Sequence, residues 1–353
     1  MENRFWMHRK SISEGIIFIA VFLSLLFLCS CVTTGTTPDS AETKGIEKQH
    51  EKPAAFQSED YILYELEGDE TPESLAQRFL GDPKKKWLIE DNNEGIRYEK
   101  GQLIVIPLKE EARGGLTVNG YQKIPILTYH RFNKKSKSRL SIPGQVFEQQ
   151  MAYLKENGYR VIPLSDLIAF MQFRMALPKK AVVITIDDGY RSVYDTAFPI
   201  LKKYGFTATL FIYLDFIEIP GSSVTWEQLK EMKLSGFEVG SHTLSHCNLT
   251  KKRKNESEET YIKRVEKELV LSKQIIDKKL NQNTVAIAFP YGAYNQEVLN
   301  ICEKAGYKLG LSVKRGGNPF FTNRLTLRRS QLLGRDLNYF IKNLKTFHNV
   351  SLR

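Results

Sequence analysis

An apolar run, Val182-Val183-Ile184-Thr185-Ile186, ends in two consecutive carboxylates and a glycine, Asp187-Asp188-Gly189. Further on, Gly240-Ser241-His242-Thr243-Leu244-Ser245-His246 follows a second strand-like run and sets two histidines four residues apart. The chain has six histidines in all, so such a pair stands out. A third stretch, Ala288-Phe289-Pro290-Tyr291-Gly292, holds a tyrosine between proline and glycine, a stiff turn able to aim a backbone N–H into a pocket. Taken singly, these segments have ordinary structural readings: a turn, a helical surface face, a loop. Together they form a donor set. Two imidazoles at i and i+4 lie on one face of a helical turn and can reach one cation. One carboxylate beside them makes three protein ligands and leaves a position for water, the arrangement of a catalytic zinc site. The spare carboxylate is then available as general base.

Those groups need elements to position them. Apolar runs at 124–129, 181–186, 208–213, 237–239 and 284–289 read as strands, and amphipathic stretches at 147–157, 192–204, 226–234, 258–280 and 296–305 read as helices. The alternation predicts parallel strands with helical crossovers, hence an α/β barrel or a doubly wound sheet. In such folds the active site lies at the C-terminal ends of the strands, where all three segments fall. Successive strand residues point to opposite faces, so Asp187 and Asp188 share a pocket only if the chain turns there, which Gly189 permits. The heavily charged helix at 258–280 reads as a solvated outer helix, without a binding role.

The same residues resemble a known family. Thr185-Ile186-Asp187-Asp188, Ser241-His242-Thr243-Leu244-Ser245-His246 and Pro290-Tyr291-Gly292 are similar, in order and spacing, to the first three motifs of the polysaccharide deacetylases, carbohydrate esterase family four. The resemblance spans roughly residues 123–333. It implies a distorted (β/α)7 barrel and hydrolysis of an N-acetyl amide. It further implies a divalent metal, Zn²⁺ by preference, on Asp188, His242 and His246, with Asp187 as base and the Tyr291 N–H stabilising the oxyanion. The family's third motif usually begins with an arginine that positions the base; Ala288 stands there, so Arg328 or Arg329 is expected to replace it. The late acid histidine has no clean match, because Leu344-Lys345-Thr346-Phe347-His348 has one residue too many. Ile126-Leu127-Thr128-Tyr129-His130 instead resembles the permuted branch that deacetylates poly-N-acetylglucosamine, in which an early Tyr-His supplies the acid. His130 is therefore preferred to His348, acting as an imidazolium that protonates the leaving amine.

The rest of the chain concerns delivery. Arg4, Arg9 and Lys10 precede an apolar run over 16–28, the layout of an export signal. Leu28-Cys29-Ser30-Cys31 resembles a lipoprotein cleavage box, with Cys31 as the acylated residue. The expected organisation is a signal over 1–30, a flexible tether over 31–60, a small module over 61–108, a linker over 109–122 and the main domain over 123–353. The βααβ order of the module, with Gly68-Asp69, Asn92-Asn93 and Ile106-Pro107, resembles a LysM domain and so implies binding to N-acetylglucosamine chains. An exported bacterial lipoprotein follows, held by Cys31, in the outer membrane or periplasm if the source has two membranes. The formal net charge of +11 suits an anionic envelope; no nucleic-acid fold signature is present and no protein partner is implied. Cys247 and Cys302 make no disulfide framework and are expected as buried thiols. The competing readings are an esterase on O-acetylated polysaccharide and a non-catalytic glycan-binding lipoprotein.

Overall fold

The structure is a computed structural model that describes residues 56–133, 138–333 and 336–351. The expected signal, Cys31 and most of the tether lie outside the described residues. Among the described residues, no helix is long and apolar enough to cross a membrane.

The small module is built from β1 (Tyr61–Glu65), α1 (Pro72–Leu80), α2 (Lys86–Asn92) and β2 (Leu103–Pro107). The two strands pair antiparallel, from Tyr61 opposite Pro107 to Glu65 opposite Leu103. Alternate residues Ile62, Tyr64, Ile104 and Ile106 point inward against Leu75, Ala76 and Ile89, as a half-buried sheet requires. Thr71 caps α1 through a reciprocal pair of bonds with Ser74, and Pro72 opens its first turn. Asn93 does more than break α2. Its side-chain amide donates to the Ile89 and Val105 carbonyls at 2.7 Å and accepts from the Val105 N–H at 2.8 Å, tying helix to strand. Folded structure begins by Phe56, ahead of the expected boundary, because Phe56–Gln57 adds a short antiparallel strand to β1.

The main domain carries β3 (Ile124–Tyr129), α3 (Gly144–Glu156), β4 (Ala181–Asp188), α4 (Phe198–Tyr204), β5 (Thr209–Ile212), α5 (Trp226–Leu234), β6 (Glu238–Ser241), α6 (Glu258–Leu280), β7 (Ala286–Ala288), α7 (Gln296–Lys304), β8 (Leu309–Leu311) and β9 (Ser330–Gln331). Strands β3 to β8 pair in sequence order, all parallel. The segment entering β9 joins the two edges. Leu327 exchanges backbone bonds with Gly310 and Ser312 beside β8, and Ser330 pairs in parallel with Leu127 on β3. The curled α/β sheet is therefore the distorted (β/α)7 barrel expected. Strand β4 is buried at all eight positions, which explains why its sequence is a continuous apolar run rather than an alternating one. The predicted helix over 192–204 is interrupted: Val193–Ala197 form a π-helical turn before α4.

The stretch 109–122 is not a loose linker. Leu116–Thr117 and Gly120–Gln122 form a hairpin that the C-terminal strand Phe347–Asn349 extends. Buried Gln122 also donates to the Pro178 carbonyl. The module itself is clamped to the barrel. Arg160 donates to Asp91 at 2.8 Å and to Glu90 at 2.6 Å, and Lys179 reaches Asp91 through both its backbone N–H and its ammonium. Arg160 pairs with Ala181 at the start of β4, so the module sits at the barrel end opposite the carboxylates that close that strand. Asp91→Ala is expected to cost about 1–3 kcal/mol, because it leaves a partly buried guanidinium short of its partner. Denaturant unfolding measures the loss, and limited proteolysis between residues 108 and 123 should quicken in the variant.

Candidate metal centre

At the end of β4 the backbone does something unusual. Asp188 and Gly189 have φ of 76° and 82°, two successive left-handed residues. Asp tolerates this conformation and Gly favours it. A Cβ at Gly189 would also press on Ile217 and Ile212 at 3.1 and 3.2 Å. The reversal turns both carboxylates toward the same pocket. The histidine pair follows β6 on an irregular loop, not on the helical turn that its spacing suggests. Thr243 and His246 are left-handed, with φ of 74° and 58°, and this path folds His246 back beside His242, ring centroids 4.7 Å apart.

Asp188 Oδ1 lies 3.5 Å from Nε2 of both His242 and His246. The three ligand atoms fall within 4.8 Å of one another. His242 donates from Nδ1 to the Ala288 carbonyl at 2.7 Å, which fixes the tautomer and turns the Nε2 lone pair toward Asp188. Burial pushes the His242 ring down to about 4 and also lowers His246, so both imidazoles are neutral and able to ligate. Asp188 is the counterpart: burial and the neighbouring Asp187 push it up to about 7. Its Oδ1 is buried without any hydrogen-bond donor. An orphaned carboxylate oxygen facing two imidazole lone pairs fits a divalent cation, which would partner all three.

Asp187 is placed differently. Arg329, wholly buried, donates to both its oxygens at 2.8 Å in a planar fork and anchors its own Nε on the Ser312 carbonyl at 2.9 Å. Of the two arginines considered, Arg329 is the one that reaches the base, and it comes from the segment that closes the barrel. Burial pushes the Asp187 carboxyl up, yet the Arg329 guanidinium with His242 and His130 holds it at about 2. His130, at the end of β3, brings Nε2 to 4.0 Å from Asp187 Oδ2. Burial, with Arg329 adding to it against the pull of Asp187, lowers the ring below the ordinary histidine range. His348 lies elsewhere, paired with Tyr121 on the edge hairpin and tilted against its ring, centroids 4.9 Å apart. Tyr291 is left-handed (φ 60°) inside the Pro290–Gly292 turn, and its exposed ring meets His246 at 5.0 Å. Cys302 is buried and Cys247 half-buried, both free.

One residue of the site escaped the sequence reading. Glu268, on the supposedly solvated α6, is buried and accepts from the Leu244 and Ser245 N–H groups at 2.9 Å and from the Ser245 hydroxyl at 2.6 Å. It holds the loop between the two histidines. The only available signal was a single acidic position, on the apolar stripe of a helix rich in exposed charge, between Val265 and Leu269.

Three side chains able to hold a metal ion beside a paired carboxylate, at the C-terminal rim of a parallel barrel, match the layout of a metal-dependent hydrolase site. The chain belongs to the polysaccharide deacetylase family. The family model described as polysaccharide deacetylase matches residues 174–310. The chain is 34% identical over 229 residues to YxkH of Bacillus subtilis (strain 168), a polysaccharide deacetylase homologue, covering 63% of this chain and 76% of that one. It is 29% identical over 245 residues to the poly-beta-1,6-N-acetyl-D-glucosamine N-deacetylase of Staphylococcus aureus (strain MRSA252), covering 63% and 83%. Among solved structures, the Streptococcus pyogenes deacetylase PplD in complex with acetate superposes with a TM-score of 0.58 at 30% identity, over 63% of this chain and 98% of that one.

Two outcomes follow from the geometry. Arg329→Met should destabilise the metal-free protein by about 3–5 kcal/mol at neutral pH, because it strands a buried carboxylate. Asp187 sits below its ordinary 3.8, so its stabilisation is present above that value and is lost as pH falls through about 2. The variant's deficit in denaturant unfolding should accordingly shrink between pH 4 and pH 2, and a pH-independent deficit would contradict the pairing. Glu268→Gln should weaken metal affinity about 10–100-fold, the usual loss when a group supporting a ligand is altered; competition with a chromophoric chelator reads this directly.

Proposed function

We propose that the chain removes N-acetyl groups from an N-acetylglucosamine-containing envelope or extracellular polysaccharide, releasing acetate and leaving free amines. The observation that carries this reading is the unpartnered Asp188 oxygen facing two neutral imidazoles, with Asp187 held ionised alongside. Asp188, His242 and His246 would hold the metal, and Zn²⁺ is the ion favoured by two nitrogen donors and one oxygen at three protein ligands. When bound, the ion would lower the pKa of water and polarise the acetyl carbonyl.

The remaining chemistry belongs to side chains on the rim. Asp187 removes the proton of the attacking water, with Arg329 fixing both its oxygens so that the base cannot rotate away. The Tyr291 N–H donates to the developing oxyanion from its stiff turn. His130, 4.0 Å from Asp187, receives the proton and hands it to the leaving nitrogen, because an amine anion is too poor a leaving group to depart unprotonated. In this order of events His130 accepts a proton before it donates one.

Delivery is part of the same proposal. The module over 61–108 is read as a LysM-type glycan tether, and Cys31 as the lipidated anchor of an exported lipoprotein. Poly-N-acetylglucosamine is supported as substrate by the early Tyr-His and by the Staphylococcus aureus relative, peptidoglycan by the LysM-like order. An intact ligand set and a paired base speak for catalysis over a purely binding role.

Acetate release from N-acetylglucosamine polymers should stop with chelator and return with Zn²⁺. Asp187→Asn should retain metal and lose about 10²–10⁴ in kcat. His130→Ala should fall by a comparable factor while His348→Ala stays near the parent rate. Release of acetate from O-acetylated xylan but not from the N-acetylated polymers would select the esterase reading instead.

A further inference from the structure

Beside the metal centre lies a cavity of about 520 Å³ that the hydrolytic machinery does not use. Its walls include Arg131, Asn133, Tyr190, Arg191, Asp195 and Phe216. Its lining adjoins the residues of the catalytic rim along the chain. Arg131 follows His130 directly and Tyr190 is two residues beyond Asp188. A file of rings connects the two places: Tyr190 on Phe216 at 5.2 Å, Phe216 on Tyr213 at 5.3 Å, and Tyr213 on His246 at 5.0 Å. The volume is within the range of small-ligand pockets, and rings beside polar groups suit the mixed surface of a sugar.

The charges in the cavity are unequal in their commitments. Arg191 donates to Asp195 at 3.0 and 3.2 Å, so that pair is closed. Arg131 has no carboxylate partner among the described residues. Its guanidinium sits over the Tyr190 ring, Cζ 4.0 Å from the centroid. Stacking on a ring uses the face of the fork and leaves its N–H edge free, the edge that grips a carboxylate or phosphate with two parallel hydrogen bonds. Other buried or half-buried arginines are already spent: Arg329 on Asp187, Arg160 on Glu90 and Asp91, Arg264 on Glu256. With Arg191 and Asp195 paired, Arg131 is the lining charge without an ion pair among the described residues, its nearest carboxylate influence being the more distant Asp188.

We infer that this cavity is a subsite for a glycan unit bearing an anionic group, a carboxylate or a phosphate, adjacent to the unit whose acetamide is hydrolysed, and that Arg131 reads that group. The inference rests on the deacetylase reading for what occupies the neighbouring metal site. A cationic glucosamine unit fits poorly, because Asp195 is engaged and the spare charge has the wrong sign.

The test uses the full chain and four short N-acetylglucosamine oligomers of equal length. One carries an O-lactyl carboxylate on alternate units, one the matching carboxamide, one a phosphate monoester, and one free amines. Binding is measured by titration calorimetry and turnover by acetate release. At least one anionic oligomer should bind about tenfold or more tightly than the carboxamide, with the advantage shrinking as salt is raised. Whichever anion leads identifies the source. In Arg131→Gln the anion-to-carboxamide ratio should collapse toward one, and Arg131→Lys should restore part of it. Equal affinities for the anionic and carboxamide oligomers, a preference for the free amine, or a ratio untouched by Arg131→Gln would each overturn the subsite. Arg131-dependent binding of an anionic oligomer with no acetate released from any of the four would keep the subsite and dismiss the deacetylase reading.

Discussion

The buried pair of Arg329 and Asp187 is the interaction on which the rest of the site depends. A carboxylate shut away from water must be paired or protonated, and here the fork of an equally buried arginine keeps it ionised. The same arginine anchors to the Ser312 carbonyl just beyond β8. It therefore links the strand bearing Asp187 to the segment that closes the barrel. The segment that closes the barrel between β8 and β3 is also the one that supplies Asp187 with its guanidinium.

Around that pair, neighbouring groups are driven to opposite states by one cause. Burial disfavours charge everywhere in the pocket, so the three histidines of the rim are shifted down and Asp188, lacking a donor, is shifted up. Only Asp187, with its arginine, stays firmly charged. Two adjacent aspartates thus take on different chemical characters through their partners alone. The left-handed turn at Asp188 and Gly189 makes this division possible, because without it the two side chains would point to opposite faces of β4.

Support for the site reaches beyond the residues that would touch metal or substrate. Glu268 satisfies two backbone N–H groups and a hydroxyl in the loop between the histidines, and Ala288 offers the carbonyl that orients His242. A small side chain at 288 is compatible with this dense packing. At the other end of the barrel, Asp91, Arg160 and Lys179 fasten the module to the start of β4.

Much of this was legible in the residues alone. Continuous apolar runs separated by amphipathic stretches predicted the parallel strands and their helices, because strands buried on both faces cannot alternate; the helices at 226–234 and 258–280 match α5 and α6 end to end. Asp188, His242 and His246 were readable as a ligand set because few residue types bind metals and they recur at strand ends. Tertiary structure decided what depends on contacts far apart in sequence. It chose Arg329 over Arg328 as the partner of the base and set His130, not His348, beside Asp187. It brought the two histidines together by a loop instead of a helical turn, and turned Glu268 inward from a helix that composition alone marks as solvated. Local pattern reports which face of an element avoids water; which distant side chain meets it is set only when the barrel closes.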